Sequence, residues 1–87
     1  MKHNILIIDD DLGVLKATKA FLESEGFIVK AVSNPDEGIA LVRQNMIPFS
    51  LALIDFHMPE TTGDEVIRRI RHYNSEITLL AGSSSSD

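Results

Sequence analysis

The sequence contains no cysteine, which excludes a disulfide scaffold and thiol chemistry and agrees with a reducing compartment. Basic residues are scarce: 8 Lys and Arg stand against 13 Asp and Glu, for a net charge of −5. Nucleic acid and anionic membrane both call for a basic face, so neither is expected as a main partner. No apolar run approaches the ~20 residues of a membrane-spanning helix, and no signal-peptide pattern opens the chain. These absences lead to the expectation of a soluble, cytoplasmic protein. There is no internal repeat or linker. At 87 residues with 44% apolar content the chain makes one small domain, of a size that buries only about 60–65% of its unfolded surface and is marginally stable.

What the sequence does have is two short apolar runs that each end in carboxylates. Ile5 to Ile8 runs into Asp9, Asp10 and Asp11, and Leu51 to Ile54 delivers Asp55. Runs of this kind, without alternation, read as strands buried on both faces of a parallel sheet. Asp11 is placed to cap a helix from Leu12 to about Glu25, with Leu12, Val14, Leu15, Thr18, Phe21 and Leu22 as its apolar stripe and Gly26 as its left-handed end. Phe27 to Val32 has the β-branched and aromatic content of a second strand. Asn34, Pro35 and Glu37 form a helix start with a capping box, and that helix runs to about Gln44, stopped by Asn45 and Pro48. Thr62 and Glu65 form a second capping box, opening a helix to about Tyr73, and Ile77 to Ala81 is a fourth strand followed by Gly82 and four serines.

The resulting β-α-β-α-β-α-β pattern calls for right-handed crossovers and helices on both faces, an α/β doubly wound parallel sheet. The flavodoxin-like strand order for four strands is 2-1-3-4, with the first and third strands adjacent at the switch point. That adjacency would bring Asp9 and Asp10 to Asp55. Three carboxylates so close repel one another unless some are protonated or a cation sits among them. Oxygen ligands without His or Cys favour Mg²⁺. A carboxylate beside Mg²⁺ at a strand end can act as a nucleophile toward phosphorus. The competing reading is plain: acidic residues after strands are often only caps and solvated loop.

At these residues the chain resembles the receiver domain of two-component response regulators, a CheY-like fold. The resemblance rests on ILIIDDD at Ile5 to Asp11, LALIDFHMP at Leu51 to Pro59, and Gly63. It implies that Asp55 accepts a phosphoryl group from a histidine kinase. It implies that Asp10 binds Mg²⁺ directly, that Asp9 acts mainly through water, and that the backbone carbonyl of His57 is a further ligand. Ser83 falls where the family keeps its Ser/Thr switch hydroxyl, and Ser84 follows it. Glu60 and Thr62 depart from the usual Gly and Asp of the family loop. The family fold also continues through a fourth helix, a fifth strand carrying a phosphoryl-binding Lys, and a fifth helix; the last Lys here is Lys30. Residues 1–87 therefore correspond to the first two thirds of such a domain, as if truncated after the fourth strand.

Two consequences follow as expectations. Leu79 and Leu80 would lie on an exposed edge, so the chain should self-associate through its fourth strand. The phosphoacceptor reading also competes with a degenerate receiver that serves only as an interaction or oligomerisation module, and with a Mg²⁺-dependent phosphohydrolase. For the last, Asp9-Asp10-Asp11 satisfies a D-x-D pattern, but Leu12-Gly13 does not continue it. Arg68, Arg69 and Arg71 form a basic helix face, read first as solvated and second as a docking site for the phosphodonor.

Overall fold

The computed structural model describes residues 3–56 and 58–82. Four strands, β1 (Asn4–Ile8), β2 (Ile28–Val32), β3 (Phe49–Asp55) and β4 (Thr78–Gly82), alternate with three helices, α1 (Leu12–Ser24), α2 (Pro35–Gln44) and α3 (Gly63–Tyr73). The strands form one sheet in the order β2-β1-β3-β4 with every pairing parallel. This is the doubly wound arrangement expected from the alternation of elements. No helix among the described residues is long and apolar enough to cross a membrane.

The helix starts follow from their capping residues. Asp11 accepts the Val14 amide, Asn34 accepts those of Asp36 and Glu37, and Thr62 accepts that of Glu65. Each bond satisfies a donor that the first helical turn would otherwise leave open. The Thr62 capping box is only half made, because the Glu65 carboxylate pairs with Arg68 one turn further on. Gly26, at φ 97, ends α1 in a conformation that side chains resist.

The two faces of the sheet are covered unequally. On one, α2 and α3 close over Leu6, Ile8, Ala52 and Ile54, with Ile39, Val42, Val66, Ile70 and Met58 in the same buried cluster. Here α2 lies so close to β1 that any side chain at Gly38 would collide with Ile8. On the other face α1 covers β1 and β2, burying Ile5, Ile7, Leu15 and Val29, while Leu51 and Leu53 on β3 remain half-buried. The expectation that β3 is buried on both faces is thus met on one side only. The apolar stripe of α1 is likewise narrower than its sequence suggests: Leu12 is 60% exposed and Phe21 63%, since α1 packs through Leu15, Val14, Thr18 and Leu22.

Element ends differ slightly from the sequence reading. Strand β3 begins at Phe49, two positions early, because Phe49 is buried and pairs with Asn4. Polar Ser50 points outward at the strand end, where its hydroxyl meets His3 Nδ1 at 3.0 Å. Ile77, though buried, precedes the ladder of β4, which extends to Gly82.

Candidate functional site

The register that pairs Ile8 with Ile54 sets the next residues, Asp9 and Asp55, side by side at the carboxyl rim of the sheet. Asp10 joins them. One carboxylate oxygen from each of Asp9, Asp10 and Asp55 lies within 4.8 Å of the others. Asp9 and Asp55 are each only 6% exposed, whereas Asp10 faces solvent. The three aspartates singled out in the sequence therefore do meet. His57, Ser83 and Ser84 lie outside the described residues.

The local chain holds this rim in place. Asp9 donates its amide to the Val32 carbonyl at 3.2 Å, and its Oδ1 accepts the Asp11 amide at 2.9 Å. One aspartate is thereby anchored at both backbone and side chain, and the next two are fixed in the turn leading into α1. Beyond Asp55, the Phe56 amide donates to the Gly82 carbonyl at 2.6 Å, tying the following loop to the end of β4. The Phe56 carbonyl then accepts the Gly63 amide at 3.0 Å, so the start of α3 sits directly on that loop. A Cβ at Gly63 would come to 3.0 Å from Phe56 Cα and 3.5 Å from the Asp55 carbonyl. The sequence places Gly63 at a helix start; its closeness to Phe56 has no local signal, since it depends on how the loop folds back.

The electrostatics of the cluster are those of crowded like charges. Burial raises the Asp9 carboxyl above its ordinary value, aided by the charges of Asp55 and Asp10, while the Asp11 amide opposes the shift. Asp10 is raised too, by loss of solvation at the rim and then by its hydrogen bond and charge contact with Asp55. Such a set gains from a shared proton or a cation. All donors are oxygen, the set a hard divalent cation prefers, and one exposed carboxylate leaves room for retained water. A groove of ≈ 270 Å³ opens from Asp9 and Asp55 over Ile7, Val14, Leu53 and Leu80, the part of the sheet that α1 leaves uncovered.

Comparison with known proteins gives a consistent result. The family description that matches residues 5–87 is the response regulator receiver domain. The cell cycle transcriptional regulator CtrA of Caulobacter vibrioides is 33% identical over 85 residues, covering 95% of this chain and 36% of that regulator. The chain thus spans about a third of the length of the curated relatives it matches. Among solved structures, a CheY-like receiver domain protein from Methanospirillum hungatei superposes with a TM-score of 0.88 at 29% identity, over 100% of this chain and 68% of its own. The response regulator TrrA of Thermotoga maritima, solved in complex with Mg²⁺ and BeF, superposes with a TM-score of 0.81 at 28% identity, over 99% of this chain and 72% of its own.

Proposed function

The chain belongs to the response regulator receiver family, and from that premise we propose that Asp55 is its phosphoacceptor, charged by the phosphohistidine of a histidine kinase in the cytoplasm. The observation that carries this reading is the convergence of Asp9, Asp10 and Asp55 within 4.8 Å at one strand rim. Receiver domains are signalling modules rather than enzymes in the usual sense. Mg²⁺ suits the donor set, with Asp10, Asp55 and the His57 carbonyl as direct ligands and Asp9 acting through water. This division is supported by Asp9 being buried and already accepting the Asp11 amide, while Asp10 is open to solvent. When bound, the ion would offset charge on the phosphoryl oxygens.

The chain's own part is to present the nucleophile. An Asp55 carboxylate oxygen forms a bond to phosphorus as the donor's N–P bond breaks, and the departing imidazole takes a proton from solvent. Ser83 and Ser84 would donate to the phosphoryl oxygens. A small acyl phosphate or phosphoramidate with Mg²⁺ tests the reading directly. Intact-mass measurement should find one phosphoryl adduct, removed by hydroxylamine as an acyl phosphate is, and mapping to the Asp55 peptide. No adduct would leave the chain as a scaffold that keeps the fold without the chemistry.

Metal binding should also show in stability. Asp9 and Asp10 carry raised values in the fold, so the folded state holds more protons than the unfolded one between the ordinary aspartate range and the raised values. Metal-free stability from this cluster is therefore full at acid pH and declines as pH rises through the raised values. Mg²⁺ should reverse the decline, adding about 1.4 kcal/mol at tenfold excess over its Kd and hence raising Tm near neutrality. Below the ordinary aspartate range the increment should vanish. An equal Mg²⁺ effect at both pH values would place the ion elsewhere.

The edge strand supports a second proposal, self-association. Thr78–Gly82 carries no charge and no proline, and Leu80 is 55% exposed on it, so among the described residues the usual protections of a sheet edge are missing. Light scattering should give a mass that rises with concentration, and Leu80→Lys should return it to the monomer. A wild-type monomer at every concentration would rule this out.

A further inference from the structure

Arg43, Arg68, Arg69 and Arg71 are all the arginine in the chain, and all sit on α2 and α3. Among the described residues lysine, in contrast, is placed on α1 and β2, as Lys16, Lys19 and Lys30. Two of the arginines have partners: Arg68 pairs with Glu65, and Arg69 reaches Asp36 at 3.1 Å across the two helices. Arg43, exposed in the last turn of α2, has no ion pair among the described residues. Between the helices runs a groove of ≈ 300 Å³ lined by Asp36, Ile39, Ala40, Arg43, Arg69 and Tyr73. A second hollow, formed by Arg68, Arg69, His72 and Tyr73, continues it along α3. Tyr73 is 46% exposed, and its ring meets that of His72 edge-on at 4.9 Å.

We infer that this α2–α3 groove docks an acidic, amphipathic segment of a partner protein. Its floor is short and apolar at Ile39 and Ala40, and its walls are two guanidinium groups, a phenol and the Asp36 carboxylate that pairs with Arg69. Arginine and tyrosine are the residue types that anchor protein interfaces, and a guanidinium fork matches a carboxylate with two parallel hydrogen bonds. Charge placement favours an acidic occupant over a neutral one. The carboxylates of Asp9, Asp10 and Asp55 occupy the strand rim, whereas the groove carries Arg43 and Arg69 against the single carboxylate of Asp36. An acidic segment is thus repelled from the phosphoacceptor end and steered to this face. The Arg69–Asp36 pair, exposed on both sides, is weak enough for an incoming carboxylate to replace Asp36. This surface is independent of the chemistry at Asp55.

The test is a titration of the isotope-labelled chain with a synthetic helical peptide bearing glutamates on one face and leucines on the other. Saturable shifts confined to α2 and the second half of α3 are expected, with affinity that falls as salt is added. Arg43→Glu should weaken binding roughly tenfold or more, and Arg43→Gln should weaken it less. Lys16→Glu, the same change in charge on α1, should leave it within about twofold, as for a site remote from the contact. Any of four results overturns the proposal: no saturable shift, equal binding by the peptide with glutamine in place of glutamate, equal loss with Arg43→Glu and Lys16→Glu, or tighter binding by a single-stranded oligonucleotide.

Discussion

Asp55→Asn is expected to abolish phosphoryl incorporation and, in metal-free buffer at neutral pH, to make the protein more stable. The first effect follows from the nucleophile: an amide nitrogen or oxygen does not replace a carboxylate oxygen in attack on phosphorus. The second follows from the crowding at the rim. Asp55 is buried beside Asp9 and Asp10, whose own protonation it promotes. An asparagine removes a charge and supplies an NH₂ that can donate to either neighbour. A gain of roughly 0.5–2 kcal/mol is typical of changes that relieve a functional site held against its own repulsion. At the proposed Mg²⁺ site the ion should narrow or invert the difference, because the wild-type cluster would gain from it and the variant would have lost a ligand. Thermal unfolding of both proteins with and without Mg²⁺ checks this. A variant less stable than wild type in chelator would mean that the three carboxylates do not repel.

The largest effect on folding is expected from Ile70→Ala. Ile70 is fully buried on α3, in the cluster that also holds Leu6, Ile8, Ala52 and Ile54. Deleting such a side chain destabilises by about 2–5 kcal/mol, the lost transfer energy together with the cavity left behind. A chain of this size has roughly 4–13 kcal/mol in all, and half-buried Leu51 and Leu53 argue for the lower part of that range. Urea unfolding should therefore begin from a partly unfolded baseline in the variant. Phe21→Ala removes a larger side chain from a position 63% exposed and should change stability by no more than about 0.5 kcal/mol. If both variants lose similar stability, α1 packs differently from the arrangement described.

The contrast between those two residues also marks where sequence was informative. Ile5–Ile8 and Leu51–Asp55 were legible as strands because four consecutive apolar residues with a carboxylate at the end leave little choice of element, and the capping residues Asp11, Asn34 and Thr62 fixed the helix starts. Alternation of elements points to a doubly wound sheet, and the flavodoxin-like strand order for it brings Asp9 and Asp10 to Asp55. Periodicity places Phe21 on the apolar side of α1, yet it carries no information about whether another element covers that side. Nor could it show that Asp9 would be buried and Asp10 exposed, which depends on the turn after β1 closing onto the Asp11 amide. Spacing places the Glu65 side chain in a capping box with Thr62; in the fold it pairs with Arg68 instead, a competition between two local partners that spacing does not decide.

The hydrogen bond from Phe56 to Gly82 gives the edge strand a role in time as well as in space. The loop after Asp55 is held from one side by the carbonyl at the end of β4, a strand whose residues are mostly exposed. Edges of this kind open locally far more often than the whole domain unfolds. Each such opening breaks the Phe56–Gly82 hydrogen bond and should loosen the loop beside Asp55 while β1 and β3 stay paired. Fraying of β4 is therefore expected to limit how long the loop stays in place, and solvent exchange at the Phe56 amide should be faster than at the neighbouring amides in the centre of the sheet.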